Sequence, residues 1–142
     1  MTDTSQFLTT DDQRLLRDTG AALRYSPGDV LIRAGSPMNG VVVLWGGRVR
    51  LELNDRNGDE ALASIGPVHI FGESALLGEE FAPISVVAET DVEAQIIDVR
   101  AMREMIASNS GFATRLYRWL ARGLSERLSR VAEFAAPPFC PE

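Results

Sequence analysis

Phe71-Gly72-Glu73-Ser74-Ala75-Leu76-Leu77-Gly78 is the stretch of this chain whose residue types could hold a small ligand. Gly72 has no Cβ, so a backbone segment there can come close to a bound group. Glu73 stands at the predicted start of a short helical turn, where exposed N–H groups favour a carboxylate. Such a carboxylate can accept a hydrogen bond from a sugar hydroxyl while neighbouring amides face an anion. The same run also has a purely structural account: Gly72 for the turn, Phe71, Leu76 and Leu77 for the core, and Glu73 for capping. Other chemistry is sparse. His69 is the one histidine and Cys140 the one cysteine. A metal centre of several histidines and carboxylates lacks its parts, and Cys140 has no histidine near it in sequence to activate it. No catalytic constellation is found, so the chain is read as a non-enzyme with no metal site.

The run resembles the phosphate-binding cassette of cyclic-nucleotide-binding domains. These are the sensor modules of catabolite-activator-like (Crp/Fnr) regulators, cyclic-nucleotide-gated channels and the regulatory subunit of protein kinase A. Three more landmarks follow in family order. Tyr25-Ser26-Pro27-Gly28-Asp29-Val30-Leu31-Ile32 is similar to the glycine turn between the first two strands. Gly46-Gly47-Arg48-Val49-Arg50-Leu51 is similar to the second hairpin, and Ser85-Val86-Val87-Ala88-Glu89-Thr90-Asp91-Val92-Glu93 to the closing run. The resemblance spans roughly Asp11 to Val131. It implies a ligand set of Phe71, Gly72, Glu73, Ser74, Ala75 and Leu76, with Ser85 at the start of the closing run.

The resemblance also implies an arginine nine or ten residues after the cassette glutamate, pairing with the cyclic phosphate. Counting back from Ser85 to Thr90 places Ala82 there, with Pro83 next. Shifted alignments put Phe81, Pro83 or Ile84 there, and none is basic. Pro83 also removes a backbone N–H. From Leu51 to Val99 there are 11 acidic residues, Glu79 and Glu80 among them, against Arg56 alone. They would repel an uncompensated phosphate. Binding of cAMP or cGMP in the usual manner is therefore disfavoured. A ligand without a phosphate, or a phosphate reached by an arginine from a partner subunit's long helix, still fits. For His69, gas-sensing relatives suggest haem ligation, against the plainer reading of a satisfied histidine at a strand end.

The elements that position these residues read as a β jelly roll of about eight short strands, with a short N-terminal helix, the cassette turn and a long C-terminal helix. Met1 to Leu8 is expected to fray. Thr10 to Gln13 is a capping-box pattern opening a helix to about Thr19, ended by Gly20. Strands are predicted over 21–25, 30–32, 41–45, 48–53, 60–65, 85–88 and 92–97. Val41 to Trp45 is β-branched enough to be buried on both sides. Asn57-Gly58 marks a hairpin tip. Asp98 caps a helix over 99–107, and Ser110 caps one over about 110–135, stopped by Pro137-Pro138. Leu116, Leu120, Leu124, Leu128, Val131 and Ala135 read as one face of that helix. The face either packs only on the β core or also pairs with a second copy, and the resemblance implies such a homodimer.

Composition sets the remaining bounds. The 142 residues, 45% hydrophobic and 24% charged, suit a single domain over 1–142. No apolar run approaches a membrane span, and an unpaired Cys140 points to the cytoplasm. All 14 basic residues are arginine and the net charge is −6. Arg115, Arg118, Arg122, Arg127 and Arg130 are read as a solvated helix face. No DNA-reading helix-turn-helix is expected in this chain. Two functions stay open: a ligand sensor whose occupied cassette repositions the long helix, and a degenerate module for dimerisation or docking of a protein partner.

Overall fold

Eight strands form two four-stranded antiparallel sheets in a computed structural model that describes residues 6–55, 58–79 and 81–134. In chain order the elements are α1 (Thr10–Asp18), β1 (Ala21–Tyr25), β2 (Val30–Ile32), β3 (Gly40–Gly46), β4 (Val49–Asp55) and β5 (Gly58–Ile65). They continue with β6 (His69–Phe71), α2 (Glu73–Leu76), β7 (Ser85–Ala88), β8 (Val92–Asp98), α3 (Val99–Ser108) and α4 (Ser110–Phe134). The sheets have strand orders β1-β8-β3-β6 and β2-β7-β4-β5. Every neighbour pair except the β4–β5 hairpin is distant in sequence, as in a jelly roll.

Strand β3 explains the layering. Side chains alternate across a strand, so Val42 and Leu44 enter the core between the sheets with Val49, Leu51, Ile65, Phe71 and Val86. Val41 and Val43 point the other way, into a second core under the helices with Ile70, Ile97, Met102, Phe112, Leu116 and Trp119. The β-branched run is buried on both faces because each face has its own core. One short strand, β6, lay unassigned in the sequence reading; its residues pair with Val42, Val43 and Leu44. All three are buried, so no alternation marks them, and unlike Val30 to Ile32 they are not a run of aliphatic residues.

Several sequence-based boundaries shift. Thr9, not Thr10, caps α1: its hydroxyl accepts from the Asp12 N–H while the Asp12 carboxylate accepts from the Thr9 N–H. Asn109, not Ser110, caps α4, with its side-chain oxygen accepting from the Phe112 N–H at 3.0 Å. Leu8 is buried in the helical core with Phe7 against it, so the expected fraying does not extend to them. The predicted Asn57 turn, Glu80, Ala135, the Pro137-Pro138 stop and Cys140 lie outside the described residues. Among the described residues no helix is long and apolar enough to cross a membrane.

The six-residue apolar face predicted for α4 does not hold as one face. A step of four residues advances a helix by about 400°, or roughly 40° beyond a full turn. Leu116 and Leu120 are buried, but Leu124 is 44% and Leu128 71% exposed, and Tyr117 joins them at 50%. The inward face instead runs through Phe112, Leu116, Trp119 and Leu120, and on to Gly123, Arg127 and Val131. Of the five arginines read as solvated, Arg118, Arg122 and Arg130 are exposed, whereas Arg115 and Arg127 turn to carboxylates of earlier elements.

Candidate functional site

The cassette follows β6 directly. Gly72 has φ 89°, and a Cβ there would lie 2.8 Å from the Gly40 carbonyl oxygen and 3.1 Å from the Val41 Cα. Its freedom is thus used by a close approach to β3 of this same chain. Glu73 opens α2, which is secured from outside by the Arg103 guanidinium donating to the Ala75 carbonyl at 3.2 Å. The reversal at Gly72 turns Glu73 and Ser74 toward the loop before β7.

Between these parts lies a cavity of about 100 Å³. Its wall is formed by Phe71, Gly72, Glu73 and Ser74 on one side and by Ala82, Pro83 and Ile84 on the other. Ile32, Met38 and Val86 floor it, and Arg127 of α4 closes it. Six of the nine sequence-derived candidates therefore line one space. Ala75, Leu76 and Ser85 do not. Ala75 is the buried residue of α2, Leu76 packs on the helical core, and the Ser85 hydroxyl accepts from the Ala34 N–H at 2.9 Å. A second, more open groove of about 600 Å³ shares Ile32 and Met38 and carries Arg33 and Asp98. It lies outside the cassette.

No cation comes from the loop. Ala82 is buried, its N–H donates to the Ser36 carbonyl, and its own carbonyl accepts from the Gly35 N–H. The cation arrives from α4 instead. Arg127 Nη2 donates to Glu73 Oε1, and both side chains are largely buried, 13% and 12% exposed. The Arg127 guanidinium also stands over the Phe71 ring, 5.4 Å from its centroid, at cation–π range. Its Nε is buried with no hydrogen-bond partner among the described residues. By sequence alone Arg127 falls among the solvated arginines of the helix. The signal that reveals it is spacing: Arg127 lies four residues after Gly123 and eight after the buried Trp119, on their face.

His69 borders the site beneath the same helix. It packs on Phe71 with ring centroids 4.6 Å apart, and a Cβ on Gly123 would meet its imidazole at 3.4 Å. Burial, then the positive field of Arg127, pushes the imidazole down to about 3, so it is neutral at ordinary pH. Its Nε2 is buried and has no partner among the described residues. This corrects the reading of a satisfied histidine at a strand end. The closeness of Gly123 and Phe71 also leaves no space for a haem macrocycle beside that nitrogen. Gln95, by contrast, is buried and saturated: it accepts from Trp45 and donates to the Arg17 and Thr19 carbonyls. Among the described residues no group of three or more His, Cys, Asp or Glu side chains could hold a metal ion.

Comparison with known proteins agrees with this geometry. The family model of the cyclic nucleotide-binding domain matches residues 22–109. A cAMP-dependent protein kinase regulatory subunit from Colletotrichum orbiculare is 28% identical over 110 residues, covering 78% of this chain and 28% of that protein. The catabolite activator protein of Thermus thermophilus superposes with a TM-score of 0.72 at 25% identity, over 92% of this chain and 62% of that one. CLP of Xanthomonas campestris, described as a c-di-GMP responsive global regulator, gives 0.77 at 20% identity, over 85% and 59%. The chain thus spans about a quarter of the curated relative's length and under two thirds of the Thermus protein's.

Proposed function

The chain belongs to the cyclic nucleotide-binding domain family, and on that premise we propose that it is a regulatory sensor whose ligand-occupied cassette repositions the second half of α4. One observation carries the reading: Glu73 of the cassette and Arg127 of the helix share a single, largely buried contact. A ligand that engages the Glu73 carboxylate must rearrange the arginine, and with it the helix turn that carries it. The ligand shifts the helix only as far as it prefers one of the two arrangements.

Two copies pair through α4. Tyr117, Leu124 and Leu128 recur at helical spacing and are exposed in the single chain, while the opposite face is already spent on the core. Repositioning the helix then changes how the copies meet. The relatives' names offer cAMP and c-di-GMP as ligands to try first. The alternative, a docking module with no small ligand, draws on the cavity's size, since ligand pockets usually span about 300–1,000 Å³. Hydrogen–deuterium exchange on the free protein and with millimolar cAMP, cGMP or c-di-GMP separates the two. The sensor reading expects exchange to change over both 72–76 and 123–134. Unchanged exchange with every nucleotide supports the docking module instead.

A further inference from the structure

We propose that Arg127 is the anion-binding residue of the cassette, and that it takes the phosphate of a small organic phosphate ester carrying a nearby hydroxyl. The inference rests on the sensor reading for the ligand's place and adds which group reads its charge. The loop offers no alternative: Ala82 is aliphatic with both backbone groups bonded, and Pro83 has no N–H. Apart from Glu73 and Ser74, the remaining lining is apolar, so Arg127 is the one cation facing the cavity among the described residues.

Its hydrogen bonding is also incomplete. A guanidinium has five N–H donors in a planar fork suited to carboxylate and phosphate. Here one nitrogen serves Glu73, while Nε is buried without a partner. A buried donor left unmade is costly, so an oxyanion arriving at that edge gains what the ion pair leaves unused.

The residual cavity of about 100 Å³ cannot hold a nucleoside beside the arginine. The guanidinium therefore turns partly off Glu73 as the ligand enters. Its fork then bonds the phosphate oxygens, and Glu73 accepts the ligand's O–H. No covalent bond or proton transfer is involved. The phosphate does not face an unneutralised carboxylate, because Arg127 stands between them. One guanidinium bonding both groups lessens the charge objection raised by the acidic stretch 51–99 without requiring a cation at position 82.

The test is an amide-resolved NMR titration of the full chain with cAMP, adenosine and inorganic phosphate, on wild type, Arg127→Met, Arg127→Lys and Arg33→Met. Arg127→Met keeps an unbranched apolar stem and removes the guanidinium, and its spectrum reports whether the fold is intact. We expect cAMP to shift the Glu73 and Ser74 amides, adenosine and inorganic phosphate to bind at least tenfold more weakly, and Arg127→Met to abolish the advantage of cAMP over adenosine. Arg127→Lys retains part of it, and Arg33→Met all of it. Equal or tighter cAMP binding by Arg127→Met overturns the proposal, as does loss in Arg33→Met alone. Inorganic phosphate binding as tightly as cAMP, or no shift with any of the three, overturns it too. Arg127-dependent binding that leaves the 123–134 amides unmoved sinks the sensor reading and spares this one. A helix response that survives Arg127→Met does the reverse.

Discussion

Two arginines of α4 each meet a carboxylate from an earlier element, and the two ion pairs differ in what they leave unused. Arg115 donates from Nε at 2.5 Å and from Nη2 at 3.0 Å to the two oxygens of Asp12. Asp12 also closes the capping box of α1. The Arg115 hydrogen bond, outweighing burial, holds its carboxyl below the ordinary aspartate range. That pair is bidentate, and among the described residues it leaves no buried nitrogen of Arg115 without a partner. Arg127 meets Glu73 through one nitrogen, keeps a buried Nε unpaired, and faces a cavity. The first half of α4 is thus sealed by Phe112, Leu116, Trp119 and Leu120 beside a bidentate contact. The second half rests on a glycine, an incomplete ion pair and Val131. On the proposed function, the first contact is scaffold and the second is the one a ligand would exchange.

Truncating the sealed half gives the largest effect. Trp119→Ala, at a fully buried site, is expected to cost about 3–5 kcal/mol in urea denaturation. A loss below about 1 kcal/mol would show that the helical core is not where the fold is held. Next comes acid. The folded His69 titrates near 3 against an ordinary value of 6.5, so below about pH 6.5 the unfolded chain binds a proton that the folded chain refuses. Its contribution is therefore lost as pH falls through that window, at roughly 1.4 kcal/mol per unit once well below 6.5. Between pH 7 and 5.5 wild type should lose about 1 kcal/mol more than His69→Leu. Equal slopes would mean that the imidazole is hydrated or paired. Asp12 acts lower: its contribution is present above its unfolded value of 3.8 and lost as pH falls through its depressed folded value.

Smaller effects sharpen the contrast within the second half. Gly123→Leu drives a side chain into the His69 ring, so exchange over 124–134 should rise about tenfold, roughly 1.4 kcal/mol of local opening, while the Trp119 region stays protected. Protection lost equally in both halves would make α4 one cooperative unit. Gly123→Ala places its Cβ at 3.4–3.5 Å from the imidazole, an ordinary contact. Its gain in helix propensity of up to about 1 kcal/mol should make it neutral or slightly stabilising by thermal melting. Leu128→Glu should leave melting almost unchanged at concentrations where the wild type is monomeric, since Leu128 is largely exposed in the single chain. It should shift sedimentation from dimer to monomer, and an unshifted mass would remove α4 as the pairing surface.

Local signals set most of the fold. Alternation in β4, the β-branched run of β3, glycine and proline turns and the Asp98 cap are written in adjacent residues, because strands, turns and caps are decided within a few bonds. The cassette from Phe71 to Leu76 and the want of an arginine at Ala82 and Pro83 were legible for the same reason. Thr9 displaced Thr10 as a cap, and Asn109 displaced Ser110, because neighbouring polar residues compete and only the resulting geometry chooses. Arg127 had no such local mark. It lies 54 residues from Glu73, and which of five arginines turns inward depends on how α4 rolls against the sandwich. His69 and Ser85 likewise received their surroundings from segments far along the chain. The residues dictated a jelly roll, a cassette and a gap in its charge. Packing of α4 over β6 decided that Arg127 of the helix meets Glu73 and lines the cavity, since long-range contacts are fixed by tertiary burial rather than by neighbours in sequence.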